Sequence, residues 1–273
     1  MNYTYIVQCS DGTLYTGWTN DPASRLHAHK SGKGAKCTRA LGAQRFAYLE
    51  RCTDKSAALR REAALKKLTK AQKEALCAEW AEKNLPRLSL ATRADAAEIL
   101  DIYNWYVLHH TATFQVTPSS LPEYEDWVDS TRALIPLLLA RDGDGKLLGY
   151  ACAHRYHPRE AYDWAVESTI YCAPDARGFG VGDTLYRALL DILDEMGYWN
   201  VYALVADPNP ASERIHARLG FTCVGREPHT AYKFGWLGLS TWWLPLRRGN
   251  EKPEPTHPLT QEQVEEILGR YQA

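Results

Sequence analysis

The sequence predicts an α/β (α+β) protein of two domains, a small ββαβαα unit followed by a larger unit with a mixed sheet. Three observations predict it. The chain has 273 residues, and length divided by roughly 150 gives about two domains. Charge is split: residues 1–87 hold 16 Lys and Arg against 8 Asp and Glu, whereas residues 88–273 hold 16 against 25, giving +8 and −9. Segments with apolar periods of two and of 3.6 alternate along both parts. The junction falls at 85–88, where a Lys-rich helical stretch ends and Pro86 precedes the strand-like RLSLAT.

In the first part, YTYIVQ at 3–8 alternates, Asp11-Gly12 signals a hairpin, and TLYTG at 13–17 resumes the strand. Asn20 or Asp21 caps a helix with Pro22 at its first position. That helix sets Arg25 and His29 four apart on one face. RFAYLE at 45–50 makes a third strand, Ser56 opens a helix over 56–68, and Thr69 caps another over 70–83.

In the second part, a strand at 87–92 leads to a helix over 96–110, a strand TATFQV at 111–116 and a helix over 123–133. Strands at 135–141, 146–156 and 161–173 follow, the first two joined by the turn RDGDGK. Leu185, Leu189, Ile192 and Leu193 share one face of a helix over 181–197. A strand at 201–207, a helix over 210–220 and strands at 221–227 and 240–246 complete the pattern. Trp236, Trp242 and Trp243 belong to the core or to a dimer surface. Residues 249–273 read as a polar, Pro-rich linker and a short C-terminal helix without an assigned function.

Composition narrows the class. Hydrophobic residues at 45% and charged residues at 24% are ordinary for a globular protein. The longest apolar run, ALIPLLLA at 133–140, is too short to cross a bilayer. The first residues lack the basic and apolar regions of a secretory signal, so a cytoplasmic protein with no membrane partner is expected. Seven cysteines without a CxxC or CxxH pair point to reduced structural thiols, not a disulfide frame or zinc site. A basic first domain attracts a polyanion.

Tyr5, Tyr15-Thr16-Gly17, Arg25, His29, the GKGAK at 32–36 and Glu62 occur in an order and spacing that resembles the GIY-YIG nuclease domain, in its small single-domain bacterial branch. The resemblance implies hydrolysis of DNA phosphodiesters. Glu62 would ligate Mg²⁺, Arg25 would contact the phosphate, Tyr5 or Tyr15 would assist the attacking water, and His29 would orient it. Lys33, Lys36, Arg39, Lys66 and Lys67 would make backbone contacts to nucleic acid. The chain departs from the pattern in reading Tyr3-Thr4-Tyr5 for Gly-Ile-Tyr and in having no asparagine after Glu62.

DARGFGVGDTLY at 175–186 suits a phosphate cradle, because free amides and the dipole at a helix start favour an anion. By spacing alone a nucleotide, a dinucleotide and coenzyme A would all fit. No GKS or GKT follows it, and no ribose-reading acid lies downstream. With Arg177, Gly178, Gly180, Val181 and Gly182, then Asn209, His216 and Gly220-Phe221, the segment resembles the GNAT N-acetyltransferases, whose cofactor is acetyl-CoA. TATF at 111–114, GYA at 149–151, REAY at 159–162, ESTIY at 167–171 and FGW at 234–236 resemble the phosphinothricin acetyltransferase branch over residues 88–248.

That resemblance implies a small-molecule amine acceptor of the glutamate-like type, phosphinothricin or methionine sulfone, and a homodimer. Glu167 would deprotonate the amine. The backbone of Ile170, Tyr171 and Cys172 would bind the thioester and stabilise the oxyanion. His216, where most of the family has tyrosine, would protonate the departing thiolate. Arg159 would fork the acceptor's carboxylate or phosphinate, Tyr162 would add a hydroxyl and Phe114 would wall the pocket. Gln115 stands where the branch commonly has glutamate. Two alternatives stay open: an acetyltransferase guided by a nucleic-acid-binding module that does not cut, and a protein acetyltransferase.

Overall fold

The computed structural model describes residues 1–176 and 180–271, so the expected contacts of Arg177 and Gly178 lie outside the described residues. The chain divides into two compact units, Met1–Leu85 and Pro86–Ala273.

In the first unit β1 (Asn2–Cys9) lies between β2 (Leu14–Thr19) and β3 (Ala43–Cys52), antiparallel to both. The hairpin turns at Gly12, whose φ of +82° suits glycine, while Asp11 accepts from the Thr13 amide. α1 (Pro22–Lys30) is capped by Asp21, which accepts from the Ser24 amide. A short α2 (Lys36–Leu41) was not expected, since six residues carry too little periodicity to register. The order is therefore ββααβαα. α3 (Lys55–Lys67) starts at Asp54 and not at Ser56, because the Asp54 carboxylate takes the Ala57 amide at 2.8 Å. α4 (Lys70–Asn84) begins at the expected Thr69, in a reciprocal capping box with Gln72. It buries Trp80, whose indole donates to the Leu49 carbonyl at 2.8 Å.

The second unit is one seven-stranded sheet. In spatial order it runs β4 (Arg87–Leu90), β5 (Leu138–Arg141), β6 (Leu147–Arg155), β7 (Ala165–Cys172), β8 (Asn200–Asp207), β10 (Trp236–Pro245) and β9 (Thr222–Tyr232). Among the described residues only β7 and β8 pair in parallel, so the sheet is mixed. Their ladder covers Ala165–Glu167 against Asn200–Tyr202 and then stops, although each strand continues for five more residues. α5 (Ala96–His109) and α6 (Leu121–Arg132) pack on the face that carries Tyr150, where the Tyr124 and Tyr150 hydroxyls meet at 3.2 Å. α7 (Val181–Glu195) covers the opposite face, through its apolar stripe of Leu185, Leu189, Ile192 and Leu193. α8 (Pro210–Leu219) leads into β9.

Three expectations need correction. The strand expected over 161–173 begins only at Ala165, because Glu160–Tyr162 turn as a short 3-10 helix. TATFQV is not a strand: its backbone groups find side chains instead of a neighbouring strand. The Lys233 ammonium donates to the carbonyls of Thr113 at 2.9 Å and Tyr106 at 3.1 Å. The tail does not stand apart either. α9 (Gln261–Gly269) buries Val264, Ile267 and Leu268 against α7 and β4. The preceding stretch is pinned by the Trp164 indole on the Glu254 carbonyl and by the His257 amide on that of Met196.

Of the tryptophans, Trp242 is buried, Trp243 is half-buried and Trp236 is exposed. All seven cysteines are free thiols. No described helix is long and apolar enough to cross a membrane.

Candidate active sites

In the first unit Tyr5, on the central strand, is wholly buried and its hydroxyl joins two residues of α1. Arg25 Nε donates to it at 3.0 Å, and His29 Nε2 lies 2.8 Å away. The tautomer follows from His29's other nitrogen. Nδ1 sits 2.7 Å from the Thr38 hydroxyl, whose single proton goes to the Ala35 carbonyl. Thr38 therefore accepts from Nδ1–H, and Nε2 accepts from the Tyr5 hydroxyl. Burial first, and the Arg25 charge second, hold the His29 imidazole below its ordinary value, so it stays neutral and accepts from Tyr5.

Two glycines make this approach possible. A Cβ on Gly17 would stand 2.4 Å from the Tyr5 hydroxyl oxygen, and one on Gly34 would stand 2.5 Å from His29 Nδ1. Tyr15 lies 5.3 Å from His29, ring to ring. Tyr5, Tyr15 and Glu62 all lie close enough to act on the charge of Arg25, so the five expected residues fall in one neighbourhood. Glu62 Oε1 holds Lys66 Nζ at 2.7 Å. Among the described residues no group of three or more His, Cys, Asp or Glu is gathered to hold a metal. A single carboxylate still fits Mg²⁺, which keeps several waters and takes its other ligands from substrate phosphates. Lys33, Lys36, Arg39, Lys66 and Lys67 are exposed.

In the second unit the parting of β7 from β8 shapes the site. The hydroxyl of Ser168 takes the place of the next ladder amide and donates to the Tyr202 carbonyl at 3.0 Å. Beyond it β7 remains in unshifted register with β6, and the Ala173 amide donates to Leu148. By the alternation of an antiparallel ladder the Tyr171 amide also faces β6, while those of Ile170 and Cys172 face the gap left by β8. Gly180 caps α7 with φ +82°. A Cβ on Gly182 would meet Ile215 Cδ1 at 3.3 Å and Cys172 Sγ at 3.4 Å. The α7 start thus lies closely against the strand that opens, a cradle suited to a pantetheine and pyrophosphate chain. Asn209 caps α8 through the Ser212 amide.

His216 is in the core. Its Nδ1 lies 2.8 Å from the Ser212 carbonyl and its Nε2 3.1 Å from the Tyr186 hydroxyl, which in turn lies 2.6 Å from Ser168 Oγ. Burial pushes the imidazole below its ordinary value, so it is neutral. Tyr186 and Ser168 escaped the sequence reading. Tyr186 sits at an apolar-face position of its helix, and nothing in the spacing marks it as polar in role.

Glu167 faces the other side of the sheet. It pairs across the ladders with His154 and Tyr202, and its carboxylate lies 3.5 Å from His154 Nε2. His154, Thr169 and Tyr171 line an open cleft of about 320 Å³ under α5 and α6, at the small end of the roughly 300–1,000 Å³ of ligand sites. Arg159 and Tyr162 are exposed on the turn between β6 and β7, where Tyr162 approaches Tyr156, itself stacked on Tyr202 at 4.2 Å. Phe114 is half-buried in the loop that Lys233 holds.

Fold and site define a GNAT-type transferase joined to a small nuclease-like unit. Residues 1–75 match the GIY-YIG catalytic domain and residues 99–221 match the acetyltransferase (GNAT) family. Phosphinothricin N-acetyltransferase of Streptomyces viridochromogenes is 35% identical over 170 residues, 62% of this chain and 90% of that protein. L-methionine sulfoximine/L-methionine sulfone acetyltransferase of Pseudomonas aeruginosa is 37% identical over 155 residues, 56% of this chain and 90% of that protein. The crystal structure of a phosphinothricin acetyltransferase from Sinorhizobium meliloti with acetyl-CoA superposes with a TM-score of 0.60 at 33% identity, covering 62% of this chain and 94% of that one. The chain belongs to the GNAT acetyltransferase family and carries a GIY-YIG domain at its N-terminus.

Proposed function

We propose that the second unit transfers an acetyl group from acetyl-CoA to the amino group of a small glutamate-like amino acid, of the phosphinothricin or methionine sulfone type. The observation that carries this is the opening of β7 from β8 beside a glycine-lined helix start, with Glu167 on the opposite face of the same strand. Acetyl-CoA supplies the activated thioester. Gly180, Val181, Gly182 and the flanking residues hold its phosphates, and Asn209 fixes the start of α8 beside them. Glu167 takes the ammonium proton, directly or through water, which frees the nitrogen lone pair to attack. The amides of Ile170 and Cys172 donate to the carbonyl oxygen as it gains charge. Arg159 and Tyr162 take the acceptor's carboxylate, and Phe114 closes the pocket. With both ring nitrogens occupied, His216 acts through Tyr186: it is a positioning residue and not the donor to the thiolate, which leaves as the C–S bond breaks and takes up the proton that the new amide nitrogen gives up.

For the first unit we propose Mg²⁺-dependent hydrolysis of DNA phosphodiesters, with Glu62 as metal ligand, Arg25 on the phosphate and Tyr5, made basic by His29, at the water. The Lys66 ammonium on Glu62 favours one second reading, a nucleic-acid-binding module that does not cut. Residues 1–85 and 88–248 are assigned as the two domains, with 249–273 closing the second, in a cytoplasmic homodimer.

The transferase is tested by mass spectrometry of methionine sulfone incubated with acetyl-CoA and the full chain. N-acetylated product is expected, and Gly182→Val should raise the acetyl-CoA KM at least about tenfold, ~1.4 kcal/mol of lost binding. Absence of product with every amino acid offered contradicts the proposal.

A further inference from the structure

Resting on the reading of the second unit as an amino-acid N-acetyltransferase, we infer that its cleft selects an acceptor whose side chain carries no charge. The cleft beside Glu167 is walled by aromatic rings: Tyr103 lies 5.4 Å from Tyr124 and 5.5 Å from Tyr171, and Tyr124 lies 4.7 Å from Trp127. Among its described lining residues there is no lysine or arginine.

Several of the polar groups present are already engaged. The Tyr103 hydroxyl donates to Gln115 Oε1 at 2.9 Å, and Gln115 Nε2 donates to the Thr117 carbonyl and to Ser119 Oγ. The Tyr124 and Tyr150 hydroxyls bond each other. Charge within reach is negative. Glu123 accepts from the Ser120 amide and hydroxyl, bonds that hold its carboxyl below the usual range and keep it ionised. Glu167 lies against His154, one of the lining residues, at 3.5 Å.

An anionic side chain would meet ring faces, which carry partial negative charge, and the Glu123 carboxylate, with no lysine or arginine among the described lining residues to receive it. A neutral polar or apolar side chain has only its hydration to lose, and gains ring contact. The acceptor's α-carboxylate, common to every amino acid, stays outside at Arg159. Selectivity then comes from the charge that the cleft rejects as much as from the contacts it makes.

Methionine sulfone and phosphinothricin form a near-isosteric pair for the test, since a neutral methyl sulfone in one is an anionic methyl phosphinate in the other. With the full chain at saturating acetyl-CoA, kcat/KM for methionine sulfone should exceed that for phosphinothricin at least about tenfold, or ~1.4 kcal/mol, mostly through KM. Gln115→Arg, which places a guanidinium at the exposed rim of the cleft, should raise kcat/KM for phosphinothricin and narrow the ratio at least about threefold. Equal or better use of phosphinothricin by the unaltered chain overturns the inference and leaves the transferase standing. A ratio unmoved by Gln115→Arg in a folded variant also counts against it. If neither amino acid is acetylated, the transferase reading fails and the inference falls with it.

Discussion

Single residues decide how close functional groups can come. Gly17 and Gly34 are the missing side chains that let Tyr5 and His29 meet, and both stood in motifs legible in the sequence. Their partners were also legible as types, but the Thr38 bond that fixes the His29 tautomer was not, since it depends on a helix too short to show. Gly17→Val must displace Tyr5 or the strand. Overpacking of this kind costs about 1–3 kcal/mol, so the first unit's thermal transition should fall by several degrees in calorimetry, and an unchanged transition contradicts the geometry.

His216 supplies a second residue-scale prediction. Its folded value lies below the unfolded one of about 6.5, so below that pH the unfolded chain binds the extra proton and stability rises with pH. The contribution is complete above about pH 7 and is lost as pH falls below about 6.5. In melts of the full chain, His216→Gln should flatten the second unit's acid slope between pH 7 and 5; an identical slope argues for an exposed or protonated ring.

At the scale of elements, period and capping foretold most of the second unit. The helices over 96–109, 181–195 and 210–219 came out within a residue or two, because each combines an apolar face with a clear start or stop. What local pattern could not show was the use of distant partners. TATFQV has β-forming residues, yet a lysine 120 positions away takes its carbonyl. The parting of β7 from β8 is equally silent in the sequence, since Ser168 reads like any strand serine.

The tail is a third case. Its polarity suggested a linker, but Val264, Ile267 and Leu268 are buried together. Each such side chain is worth about 1.5–3 kcal/mol when buried, and ~1 kcal/mol moves a domain of this size by about 2–4 °C. Ending the chain at Asn250 should therefore lower the second unit's midpoint by about 10 °C or more while leaving the first unit's transition in place. A shift of only a degree or two contradicts the docking of α9.

For the whole molecule, the split of charge into +8 and −9 was the clearest sign of two units. A basic unit suits a polyanion, and its affinity for DNA should fall steeply with salt as phosphate neutralisation releases counterions. In the acidic unit the proposed chemistry lies in a cleft and a strand opening, where overall charge matters less. Each site has its own carboxylate, Glu62 on α3 and Glu167 on β7, and each belongs to a separate compact unit. The most direct measurement takes the full chain, Glu62→Ala and Glu167→Gln through two assays: thiol release from acetyl-CoA with methionine sulfone, and Mg²⁺-dependent cleavage of single-stranded, duplex and branched DNA. Glu167→Gln should lose at least about a hundredfold in acetyl transfer, as general-base loss does, and keep cleavage, while Glu62→Ala should lose cleavage and keep transfer. Full acetyl transfer by Glu167→Gln, or loss of both activities in either variant with its fold intact, would contradict two separate sites on one chain.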